Sequence, residues 1–82
     1  MRKYKSKYTE AFRDEQLKWF EERLDKLPQS MKINDYTSTN NLRLTVEALM
    51  NTLRNNTPTV FFSGYMETLL CIKDKLKKEQ GL

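Results

Sequence analysis

The run from Pro58 to Leu76, PTVFFSGYMETLLCIKDKL, limits the possible folds more than any other stretch of the chain. Wound at about 3.6 residues per turn, it gathers Phe61, Phe62, Tyr65, Met66, Leu69, Leu70, Ile72 and Leu76 on one side. That apolar arc covers roughly half the circumference, which predicts a helix lying between two others rather than on a single partner. The partners have to come from the same short chain. Its 82 residues make one domain, which buries only about 60–65% of its unfolded surface and is expected to have a stability of about 5 kcal/mol. Two glycines and two prolines leave little room for a turn-rich β fold.

Two further helical patterns supply the partners. The first opens at Thr9, a side chain suited to the N-cap, with Glu10 in the first turn where the helix dipole favours an acid. It is expected to run to Leu27, where Pro28 prevents continuation. Phe12, Leu17, Trp19, Phe20, Leu24 and Leu27 fall on one face, with Trp19 at its edge and therefore half-buried. The cap formers Thr37-Ser38-Thr39-Asn40-Asn41 announce the second helix, near 40–55, with a narrower stripe of Leu42, Val46, Leu49, Met50 and Leu53. Asn55-Asn56-Thr57-Pro58 ends it and starts the third helix, near 58–78, with Thr57 as N-cap and Pro58 as first helical residue. Ser63-Gly64 leaves a second possible start at Ser63, and Gly81 is a natural stop. Between the first two helices, Pro28 to Ser38 has no helical period. Met31, Ile33 and Tyr36 are its expected anchors, and a lone extended segment gives no reason to build a sheet. The expected fold is all-α: a three-helix bundle centred on Phe20, Leu24, Leu49, Leu53, Phe62, Met66 and Leu69, with a long ordered connection between helices one and two.

The chemistry of catalysis is sparse. Histidine is absent, which removes the commonest general base and metal ligand, and a lone Cys71 builds neither a disulfide nor a zinc site. No glycine-rich phosphate loop occurs. The carboxylate pairs Asp14-Glu15 and Glu21-Glu22 diverge on a helix, and Cys71 projects away from the apolar arc as an inert surface thiol. The sequence therefore points away from an enzyme and calls for no cofactor or metal. Neither an apolar leader nor a membrane-length apolar run is visible, so a cytoplasmic protein is expected.

Charge is unevenly placed. Of the net +4, residues 1–8 carry +4, residues 9–27 carry −2, and residues 28–57 and 58–82 carry +1 each. The first eight residues read as a flexible basic arm ahead of a single helical domain spanning 9–82. Arg2, Lys3, Lys5 and Lys7 interleaved with Tyr4 and Tyr8 also suit an accessory nucleic-acid contact, with Lys75 and Lys78 of the last helix as further candidates. The third helix opens Thr59-Val60-Phe61-Phe62 without a base before Lys73, unlike a recognition helix. On the second helix, Leu44 and Ala48 lie opposite the apolar stripe and are the candidate contacts for a protein partner or for a second copy of the chain.

Leu27-Pro28, Met31-Lys32-Ile33, the cap cluster before Leu42, Val46-Glu47-Ala48-Leu49 and Gly64 to Leu76 together resemble a family of small uncharacterised bacterial helical domains of unknown function. The likeness covers about residues 16–77 and rests on core positions. The histidine of the second helix and the arginine ahead of the last helix's first leucine, common in such domains, are replaced here. The resemblance implies the helical fold and genomes rich in phages and mobile elements, and it assigns no catalytic residue. The leading expectation is a non-enzymatic interaction module, an accessory or inhibitor protein of a phage or mobile element. The alternative is an accessory nucleic-acid binder using the arm.

Overall fold

A computed structural model describes residues 8–55 and 60–81, with residues 60–62 described by their backbone alone. The described chain is a small, mostly α-helical fold of three helices, α1 (Glu10–Glu21), α2 (Leu42–Arg54) and α3 (Val60–Gln80), with a two-stranded hairpin in the first crossover.

Thr9 caps α1 as its sequence implies, its hydroxyl accepting the Phe12 amide at 3.0 Å. The helix stops at Glu21 instead of reaching Leu27. Pro28 forces Leu27 into extended backbone, and a short 3₁₀ turn at Leu24–Lys26 takes up the change of direction. The Arg23 guanidinium donates back to the Trp19 carbonyl at 3.0 Å, satisfying one of the acceptors that the helix end leaves open. The bend lets Leu24 and Leu27 lean on the core as half-buried side chains.

The crossover holds a sheet that alternation alone did not predict. Its strands β1 (Met31–Lys32) and β2 (Ser38–Thr39) pair antiparallel, Met31 opposite Thr39 and Lys32 opposite Ser38. The second strand was hidden inside the cap-former cluster. Two residues per strand cannot hold themselves together; burial of Met31 and Ile33 pins the hairpin to the core. Tyr36 is not an anchor. Asn34 Oδ1 accepts the Tyr36 amide at 2.8 Å, forming an Asx turn that leaves the ring at the hairpin tip 96% exposed. At the base, Leu42 donates its amide to the Gln29 carbonyl at 3.0 Å and the Gln29 side chain donates to Asn40 O at 2.8 Å, closing the loop before α2 begins.

Asn41 is the side-chain cap of α2, accepting the Leu44 amide at 3.2 Å. Leu42, Val46, Met50 and Leu53 of this helix are buried, whereas Leu49 and Leu24, expected at the centre, are half-buried at its margin. Phe20, Leu53, Met66 and Leu69 lie fully buried as expected, with Ile72 and Leu76 continuing the α3 stripe. Each such side chain contributes about 1.5–3 kcal/mol through its removal from water. Helix α2 packs on both α1 and α3, and α3 meets α1 as well, through Lys73 and Gln16. Tyr65 sits on the predicted arc yet is 42% exposed, so the buried stripe of α3 is narrower than its apolar sequence. The helix is already formed at Val60, which excludes the later start at Ser63, and it ends at Gly81, whose φ of 70° suits glycine. The expected cap Thr57, Pro58 and the Phe61 and Phe62 side chains lie outside what is described.

Candidate interaction surfaces

Helices α1 and α2 run in opposite directions, tied by Arg43 to Asp25 at 3.0 Å and by an Arg13 guanidinium donating to the Leu53 carbonyl at 3.0 Å. Where α1 gives way to the 3₁₀ turn, an open groove of about 450 Å³ lies along α2. Leu24 and the edge of Met50 line its apolar part, together with Leu44 and Ala48 one turn apart on α2. Glu21, Glu47 and Arg54 line its polar part. Arg54 pairs with Glu21 at 3.2 Å, and Arg43 reaches Glu47 at 3.8 Å as well as Asp25. These exposed pairs add little to stability, but they set a rim of both signs around an apolar strip. Leu44, at 62% exposure, is the most open large aliphatic side chain of this surface.

The opposite side of α1 meets α3, and here the two helices run in the same direction. Lys73 of α3 donates to Gln16 Oε1 at 2.7 Å, and further along, Gly81 stands beside Glu22, Arg23 and Lys26. Gln16 is buried and Lys73 half-buried. Beside them lies Trp19, with the Arg23 guanidinium 4.3 Å and the Lys73 ammonium 5.1 Å from its ring centroid, both within cation–π range. Burial lowers the Lys73 pKa from its ordinary value; the charges of Lys77 and Arg23 lower it further, and Glu15 opposes them.

A family model described as a domain of unknown function, DUF6965, matches residues 14–78. The chain belongs to that family. No curated protein and no solved structure matches it. The span shared with the family takes in the groove of α1 and α2 and, from Gln16 to Lys77, the cationic face of α1 and α3, but it excludes the basic arm. A small domain of unknown function was the expectation, and the matched span agrees closely with the core positions that suggested it.

The residues singled out in the sequence separate in space. Leu44 and Ala48 come together in one groove. Arg2, Lys3, Tyr4, Lys5 and Lys7 lie outside the described residues. Tyr8 stacks on Phe12 with centroids 5.5 Å apart and 14° between planes, so one face of its ring is used within the fold. Lys78 pairs with Asp74 at 3.2 Å, and Lys75 lines a polar groove of about 510 Å³ with Ser30, Lys32, Ser38 and Glu79. Because α1 and α3 are parallel, the arm joins α1 at the end remote from Lys75 and Lys78. Cys71 is exposed, and among the described residues no group of three His, Cys, Asp or Glu side chains is arranged to hold a metal. No helix of the described residues is long and apolar enough to cross a membrane. Sequence reasoning missed the Trp19 cluster. The i,i+4 spacing of Trp19 and Arg23 was visible, but Lys73 reaches the ring only through the packing of α3.

Proposed function

We propose that this chain is a non-enzymatic interaction module that receives an amphipathic helix of a partner protein in the groove between α1 and α2. The observation that carries the reading is the position of Leu44: exposed, over a strip formed with Leu24, Ala48 and Met50, and framed by charges of both signs. A single exposed leucine is ordinary. An exposed leucine that completes a groove between two helices is the arrangement that takes up the apolar ridge of a third. The rim selects its occupant, a helix carrying a base toward Glu47 and an acid toward Arg54. By covering the partner's helix the module acts as an accessory or inhibitor protein of the cytoplasm. A binding comparison tests this. Proteins retained from host extract by the native chain are purified and titrated against Leu44→Glu, Ala48→Glu and, as control, Lys18→Glu. Loss of affinity of at least about tenfold, or 1.4 kcal/mol, in the first two but not the third is expected. Equal affinity of all four proteins refutes the groove, and sedimentation of the native chain as a dimer that Leu44→Glu dissociates replaces the partner with a second copy.

A second reading is an accessory nucleic-acid binder working through the basic arm, with Lys75 beside Lys32 in a polar groove as a separate further contact. It predicts affinity that falls steeply with salt and is lost when residues 1–8 are removed. Undiminished binding by the truncated chain contradicts it.

A further inference from the structure

The cationic face of α1 and α3 is more than a neutralised pair of helix ends. Two helix C-termini side by side contribute about half a negative charge each, whereas Arg23, Lys26, Lys73 and Lys77 bring four positive charges. Of the nearby acids, Asp25 pairs with Arg43 at 3.0 Å and Asp74 with Lys78 at 3.2 Å, while Glu15 acts on Lys73 through its charge without forming an ion pair to it. Glu22 meets Arg23 at 3.4 Å, but among the described residues no carboxylate lies within ion-pair distance of Lys26, Lys73 or Lys77. Lys73 has only the neutral amide of Gln16 and the face of Trp19. Arg23 and Lys26 line, together with Glu22 and Gly81, an open concavity of about 380 Å³. We propose that Arg23, Lys26, Lys73 and Lys77 form a phosphate-binding site for the backbone of a nucleic acid, with Trp19 as the floor that holds Arg23 and Lys73 in place. A phosphodiester lying across the face relieves the repulsion among the cations and accepts from a guanidinium and ammonium groups at once. The direction of the Lys73 pKa agrees: burial lowers it first, and the charges of Lys77 and Arg23 lower it further against the smaller opposing pull of Glu15. The ligand class is that of the second reading above, but the residues differ: this site belongs to the folded body and does not need the arm.

Trp19, the one tryptophan of the chain, makes the site directly observable. A ligand that draws Arg23 and Lys73 off the ring changes its emission. The full chain is titrated with inorganic phosphate, a single-stranded RNA, a DNA duplex of equal length and poly-glutamate, starting at about 50 mM salt. Saturable change with RNA or DNA is expected, with a log–log salt slope of roughly −3 for four contacts on a single strand. Lys73→Gln/Lys77→Gln should halve that slope to about −1.4, while Lys18→Glu, of equal charge change, should leave it near the native value. Retention of the Trp19 response and of the slope in the Lys73/Lys77 variant overturns the site. So does an equal loss in the Lys18→Glu control, which reports net charge alone, and so does tighter binding of poly-glutamate, which assigns the face to an acidic protein. If only removal of residues 1–8 abolishes binding, the arm reading stands and this site falls.

Discussion

Gln16 and Lys73 offer a direct test of how α3 is set against α1. Gln16 is buried, and its oxygen takes the Lys73 ammonium at 2.7 Å across the helix interface. A hydrogen bond to a charged group contributes about 1.5–3 kcal/mol net. Lys73 keeps some water, so the lower end applies, about 1.5 kcal/mol. Gln16→Met removes the acceptor while keeping side-chain length, and leaves a half-buried ammonium without its polar partner. The expected loss of about 1.5 kcal/mol lowers Tm by roughly 6–12 °C in a domain of this size. Lys73→Met strands the Gln16 amide instead, but it also removes the repulsion from Lys77 and Arg23, so its loss should be smaller. Replacing both leaves two apolar side chains in contact, an exchange that is nearly neutral. Urea and thermal unfolding of the four proteins, followed by far-UV circular dichroism, close the double-mutant cycle, with a coupling of about 1–2 kcal/mol expected. Additive single effects below about 0.3 kcal/mol would refute the reasoning, and with it the register of α3 on α1.

Other perturbations follow from the same packing. Leu69→Ala, at a fully buried position, should cost about 2–5 kcal/mol and bring so small a domain close to unfolding at 25 °C; an unchanged Tm would contradict the core. Ile33→Ala should cost a similar amount although it lies outside the helices, because Ile33 anchors the hairpin, and hydrogen exchange should show the crossover opening first. Thr9→Ala should cost about 1 kcal/mol by removing the acceptor of the Phe12 amide, read as loosened protection at the start of α1. The Lys73 pKa gives a signed pH effect. Its folded value lies below the ordinary 10.5, so between the two values the unfolded chain binds more protons and stability rises with pH. Native protein should therefore gain stability relative to Lys73→Met as pH climbs toward 10.5, and parallel pH profiles would count against the burial of that ammonium.

The helices were legible because periodicity and punctuation agreed. Thr9, Asn41 and Gly81 do at the helix ends what their chemistry suggests, and the stripes through Leu53 and Leu69 are the core. The sequence signal failed where two local rules competed. Leu24 and Leu27 kept the helical period, but Pro28 acts on Leu27 and the chain turned before reaching it. Ser38-Thr39 looked like cap formers and became a strand because Met31 and Ile33 found the core and brought β1 beside them. Tyr36 looked like an anchor until the Asx turn at Asn34 directed it outward. Of the surfaces, Leu44 and Ala48 could be named from one helix, since an i,i+4 pair opposite a stripe is a local fact. Their partners Leu24 and Glu21 could not, and neither could the meeting of Lys73 with Trp19, because those depend on how helices distant in sequence are set side by side.

The most direct test of the groove is site-specific photo-cross-linking of the full chain in host cells. A benzophenone side chain replaces Leu44 in one protein and Lys18, on the exposed face of α1, in another. The account predicts a discrete adduct from position 44 only, whose cross-linked peptide maps to an amphipathic helix of the partner and which disappears when Ala48→Glu is added. Adducts of equal yield from both positions, or an adduct at 44 indifferent to Ala48→Glu, would contradict it.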